Sequence, residues 1–191
     1  MDEVIPESSI VKDVRVVVQK TGAIEDGRSV NHWSITLLLE GSKSVRLNMR
    51  NKTSEEWLYE LPENAEYGEP GVLDITVHDY VRSFSTIYDW DYHCAGQHTV
   101  RDFINVLLQK NRQYYTMAIG GSGCRYWVYV VMLDFAAEGF VQETVPDDLH
   151  TNLMNYYTGR GDSIVFCPTD TMPKGKFWSA ESWEAEFRAC Q

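Results

Sequence analysis

The sequence is short of the features that would take it out of the class of ordinary globular domains. No apolar run approaches the roughly 18 residues of a membrane-crossing helix, so none of it reads as a span. No three basic residues are consecutive, and 17 basic against 28 acidic residues leave a formal charge of -11. A surface of that sign repels phosphate backbones, which argues against nucleic acid as a partner. The four cysteines, Cys94, Cys124, Cys167 and Cys190, make no CxxC pair and keep no regular spacing, so free thiols in a reducing compartment are expected. The N-terminal residues Met1 to Glu7 are acidic and lack the basic and apolar regions of a secretory signal, which makes the cytoplasm the expected location. The run Gly120-Gly121-Ser122-Gly123 has neither the Lys-Ser/Thr ending of a P-loop nor dinucleotide-binding spacing, so no nucleotide cofactor is implied. The stretch from Tyr92 to His98 holds His and Cys but lacks the second ligand pair of a zinc site, and no metal is expected.

What is present fits one domain: 191 residues, 43% apolar and 13% aromatic. The chain reads as a flexible tail over 1–9, a single α+β domain over 10–175 and a C-terminal extension over 176–191. From Val11 to Gln19 the β-branched content predicts a strand. Ser29 to Leu39 alternates, with Trp33, Ile35, Leu37 and Leu39 on one face and His32, Ser34, Thr36 and Leu38 on the other. A turn at 41–43 returns the chain through Ser44 to Met49, and Val72 to Ser83 is again strand-like. A short helix is predicted over 53–61, where Thr53 and Glu56 match a capping box. Tyr88 to Gln97 reads as an irregular aromatic loop. Helices are predicted from Thr99 to about Asn111, from Cys124 to Phe140 and from Asp147 to Tyr157, while residues from Pro173 on dock loosely or form a tail. The expected fold is therefore α+β, an antiparallel sheet of about four to six strands packed on a central buried helix.

The strongest chemical feature is Gly120-Gly121-Ser122-Gly123-Cys124-Arg125-Tyr126-Trp127. A thiol in the first turn of a helix lies near unsatisfied N–H groups and the positive dipole end, both of which favour thiolate. Glycines before it allow a backbone or an oxyanion to approach closely. A base is still required. Of the five histidines, His32 is the best placed, because Ser34 and Thr36 on its face would let a helix starting at Cys124 pack close. A polar side chain on the returning strand could orient the imidazole: Asn48 first, Arg46 second, since both share one face.

Taken together, the His-Trp strand Asn31-His32-Trp33-Ser34-Ile35, the hairpin through Val45-Arg46-Leu47-Asn48, and the Gly-rich loop opening into Cys124 and an apolar helix resemble the circularly permuted papain-like proteins. These include the lecithin-retinol acyltransferase-like branch of the NlpC-type superfamily and the related deSUMOylating peptidases. The resemblance covers about residues 29 to 136 and implies a Cys124 nucleophile, a His32 base and a third polar residue from the next strand. The sequence departs from that branch at Gly123, where Asn is usual, and at Arg46 or Asn48, where His is common. The words NHWS and GCRYW also resemble those of uncharacterised fungal proteins.

Two functional expectations follow. In the first, the protein is a thiol-dependent acyl-transfer enzyme, a hydrolase or transferase acting on an amide, ester or thioester, with Cys124, His32 and Asn48 as the catalytic set. Its substrate is then a small molecule or an acylated or peptide group. Arg46, Ser122, Gly123 and the aromatic residues Tyr88, Trp90 and Tyr92 would line the substrate site. In the second, a non-catalytic domain binds a small molecule or a protein through the same cleft and aromatic loops, and Cys124 is a small buried hydrophobe.

Overall fold

The computed structural model describes residues 4–23, 29–52, 56, 65–159, 165–169 and 171–187. The elements run β1 (Asp13–Ala23), β2 (Ser29–Leu38), β3 (Ser44–Asn51), β4 (Gly71–His78), β5 (Thr86–His93), α1 (Val100–Gln109), β6 (Tyr115–Thr116), α2 (Cys124–Ala137), α3 (Val145–Leu153), β7 (Asn155–Thr158), β8 (Val165–Pro168), β9 (Lys176–Phe177) and α4 (Ala180–Phe187). The α+β class and the antiparallel sheet are as the sequence indicates: five strands in the order β4-β3-β2-β1-β5, each antiparallel to its neighbours.

Strand alternation fixes the core. Val14, Leu37 and Val45 lie in one row across β1, β2 and β3, and Val16, Ile35 and Leu47 in the next. All six are fully buried. The same cluster takes in Trp127, Val128, Val131, Met132 and Phe135 of α2 and Phe103 and Leu107 of α1. The helix that starts at Cys124 therefore shares its core with the Trp33 face of β2, not with the His32 face on which the sequence reading laid it. The other face of the sheet is polar. It is covered by the chain after β4, through Ser44 Oγ donating to Tyr80 O (2.6 Å), Arg15 Nη1 to Val81 O (2.9 Å) and Gln19 Nε2 to Ser85 Oγ (3.0 Å). That cover is why β4 stops at His78 and does not continue as a strand to Ser83.

Two further segments differ from the sequence expectation. Tyr88 to His93 is not a loop but most of β5, an edge strand paired with β1. Its acidic residues are matched by arginines, Asp91 by Arg15 at 2.6 Å and Asp89 by Arg82 at 2.9 Å. Charges of this kind also keep an edge strand from pairing with other chains. The helix predicted over 147–157 ends at Leu153, and Asn155–Thr158 turns into strand β7 against β8. Asn31 holds β7 in place: its Nδ2 donates to Tyr157 O (2.8 Å) and its Oδ1 accepts from Tyr157 N (2.6 Å).

The chain ends make contacts as well. Residues from Pro173 on include β9, which pairs Phe177 with Tyr115, and Trp178 N donates to Tyr114 O. Glu7 Oε2 accepts from Arg101 Nε of α1 at 2.8 Å. The helix predicted over 53–61, apart from Glu56, and Cys190 lie outside the described residues. Among the described residues no helix is long and apolar enough to cross a membrane.

Candidate active site

Strands β2 and β3 pair only from Ile35↔Leu47 to Leu38↔Ser44. Beyond that point β2 continues beside β1 to Ser29, and β3 beside β4 to Asn51. The two strands part, and the start of α2 lies at the opening. Here His32 Nε2 is 2.5 Å from Asn48 Oδ1. An amide oxygen only accepts, so Nε2 carries the proton and Nδ1 is left as the basic nitrogen.

Cys124 completes the group. Burial raises its thiol pKa, but the hydrogen bond and charge of His32, the Trp33 backbone N–H and the charge of Arg125 together outweigh burial, and the net shift is downward. For His32, burial pulls the imidazole pKa down. Interaction with Cys124 and the bond to Asn48 more than offset this, so the net shift is upward despite the charge of Arg46. Opposed shifts in a thiol and an imidazole are the signature of a pair that favours thiolate and imidazolium. Of the other described cysteines, Cys94 is buried with its pKa raised by burial, and Cys167 is exposed.

The loop before α2 is fixed by backbone that glycine alone adopts easily. Gly121 has φ +76, its carbonyl accepts from Asn51 Nδ2 at 3.1 Å, and a Cβ added there would lie 2.7 Å from that nitrogen. Gly123, the residue before the thiol, has φ +132, and a Cβ there would come within 3.0 Å of Tyr115 Oη and 3.2 Å of Ala118 N. Tyr115 explains the crowding. Its hydroxyl donates to Gly123 O (2.9 Å) and accepts from Gly175 N (2.9 Å), tying the loop before α2 to the C-terminal segment. Tyr115→Phe leaves a buried carbonyl and a backbone N–H each one bond short, so it is expected to cost about 1–3 kcal/mol in urea unfolding. A loss under a few tenths would show that water takes over both bonds.

A cleft of about 530 Å³ opens over the thiol, within the usual range of roughly 300–1,000 Å³ for small-molecule sites. Its rim is polar at Asn51 and Ser122, and its walls are apolar at Met49, Met117, Tyr156 and Pro173. His32, Gly123 and Cys124 also line it. The remaining residues singled out from the sequence lie elsewhere. Arg46 bonds Gln19 Oε1 (2.7 Å) and Ser34 Oγ (3.3 Å) on the polar face of the sheet and does not line the cleft. Tyr88, Trp90 and Tyr92 lie on β5, beyond β1, and are not among the residues lining the cleft. Trp90 reaches the site only indirectly, by stacking on Trp33 at 5.6 Å.

Sequence reasoning missed Asn31, Asn51, Tyr156 and Arg125 as cleft residues. For Arg125 a signal existed, a lone cation at the second position of a helix whose one other charged residue is Asp134. His93 and His98 turn to Asp13 and to Ala95 O respectively, and no group of three or more potential metal ligands occurs among the described residues.

No curated protein and no solved structure matches this chain. A family model described as Domain of unknown function (DUF7770) matches residues 14–178. That span runs from β1 to just past β9 and takes in His32, Asn48 and Cys124. The chain belongs to the DUF7770 family.

Proposed function

We propose that this protein is a thiol-dependent acyl-transfer enzyme acting on an amide, ester or thioester, with a permuted papain-like arrangement of its catalytic groups. The observation that carries the reading is a thiol at a helix start that shares a cleft with an imidazole held at Nε2 by an amide oxygen. In the chain the base comes first on β2, its orienting partner follows on β3, and the nucleophile opens α2. This order matches the resemblance noted in the sequence.

Each group has a definite part in the chemistry. Cys124 gives its proton to His32 Nδ1, and the thiolate sulfur attacks the acyl carbon. The carbonyl becomes an oxyanion, which the free N–H groups at the first turn of α2 are oriented to receive. Collapse breaks the bond to the leaving group, which takes the proton back from His32 and leaves a thioester on Cys124. Water or a second nucleophile then takes the acyl group, with His32 again as base. Asn48 holds the ring so that Nδ1 faces sulfur.

A direct test is exposure to p-nitrophenyl acetate, followed by intact and peptide mass. The expected result is a stoichiometric burst of nitrophenolate with one acetyl group on Cys124, and neither in Cys124→Ala. A wild-type protein that releases nitrophenolate no faster than Cys124→Ala, with no adduct on Cys124, would sink the reading.

A further inference from the structure

Arg125, the residue after the nucleophile, is only 6% exposed and has a terminal nitrogen, Nη1, buried without any hydrogen-bond partner. Among the described residues no carboxylate pairs with it. Its guanidinium carbon lies 4.9 Å from the ring centre of Tyr156 and 5.5 Å from that of Trp33. Both Arg125 and Tyr156 line the cleft over Cys124. A buried guanidinium without an acceptor is costly and cannot be relieved by losing its proton at physiological pH.

Its position in the helix adds to the anomaly. The first turn of a helix favours acids, and α1, α3 and α4 each carry one or more there, whereas α2 has none and carries this cation. Aromatic rings cover the flat faces of a guanidinium but leave its edge, where the N–H bonds lie, in need of acceptors. A carboxylate offers two parallel acceptor oxygens in the matching geometry.

We propose that Arg125 is the receptor for a carboxylate on the substrate, so that the cleft selects acyl compounds carrying an anionic group close to the reacting carbonyl. The proposal rests on the acyl-transfer reading of Cys124. It gives that reading a substrate class: a carboxylate-bearing amide, ester or thioester, held by its charge while Cys124 attacks the neighbouring carbonyl. Met49, Met117 and Pro173 then contact the apolar remainder.

The test uses two alkylating agents of nearly the same shape, neutral iodoacetamide and anionic iodoacetate. Both are applied to the full chain, with exposed Cys167 as internal reference. The ratio of iodoacetate to iodoacetamide rates at Cys124 is expected to exceed that at Cys167 by on the order of tenfold or more. In Arg125→Gln that excess should disappear. Equal ratios at the two cysteines in the wild type would overturn the proposal. So would an Arg125→Gln protein in which both reagents slow equally, since Arg125 would then act only on the thiolate. If Arg125→Gln does not fold, succinate must protect wild-type Cys124 from iodoacetamide competitively, and absence of protection overturns the inference. Failure of the underlying reading looks different, because Cys124 would then be no faster than Cys167 even with iodoacetamide.

Discussion

Replacing His32 by Ala is expected to slow iodoacetamide labelling of Cys124 by on the order of 10–100-fold near pH 6, because each unit of thiol pKa is tenfold in thiolate below the pKa. Burial alone would make Cys124 a poor nucleophile, and the imidazole is the largest of the influences that reverse this. The sign of the pH dependence follows. With a lowered thiol pKa, the wild-type labelling rate rises at lower pH than that of an ordinary thiol. Without His32, burial dominates, and the rate rises only as the solution becomes alkaline. The whole profile shifts to higher pH. Asn48→Ala keeps the imidazole but frees the ring that Asn48 Oδ1 holds at 2.5 Å, so an intermediate loss is expected. Peptide mass read against pH for the three proteins measures all of this, and identical profiles for wild type and His32→Ala would remove His32 from the site.

The parts of this site that were legible in the sequence depend on neighbours along the chain. Alternation over Ser29 to Leu39 assigned Trp33 to the core and His32 to the other face, and the same rule put Asn48 with Arg46. The glycines before Cys124 and the apolar run after it marked a helix start. What could not be read was how the two meet. The thiol comes with a helix that shares its core with the Trp33 face, and His32 belongs to the opposite one. They interact because β2 and β3 stop pairing after Ile35↔Leu47. That separation depends on where distant elements insert, and neither strand announces it.

β5 failed for a different reason. Tyr88, Trp90 and Tyr92 alternate with Asp89, Asp91 and His93, which is a period of two, but the acids made the segment look solvated. Arg15 and Arg82, contributed from outside β5, are what allow those carboxylates to sit on a strand. Likewise the tyrosines of β7 looked helical until their partners in β8 and the clamp from Asn31 were known. In each case the missing information was a partner remote in sequence.

Trp127→Ala is expected to be the most destabilising single change near the site, at about 3–5 kcal/mol for a buried Trp truncated in a core. Trp127 is fully buried, one turn after Cys124 in α2. Its indole Nε1 donates to Arg112 O (2.8 Å), and Arg112 Nε in turn donates to Asp134 Oδ2 (2.6 Å), further along the same helix. Its own backbone N–H donates to Gly123 O (3.0 Å), the carbonyl that Tyr115 also holds. The residue therefore couples the core to the position of the thiol. In a domain of this size the loss corresponds to a fall in Tm of roughly 6–20 °C. Leu133→Ala provides the contrast on the same helix, since Leu133 is 40% exposed and its truncation is expected to cost under about 1 kcal/mol. Urea unfolding of the two variants, with Cys124 labelling followed in the folded baseline, measures stability and site together. If Trp127→Ala costs no more than Leu133→Ala, α2 is not anchored through its indole. If it is destabilised but keeps the full labelling advantage of Cys124, the thiol is positioned by the Gly123–Tyr115 contact independently of the core beneath it.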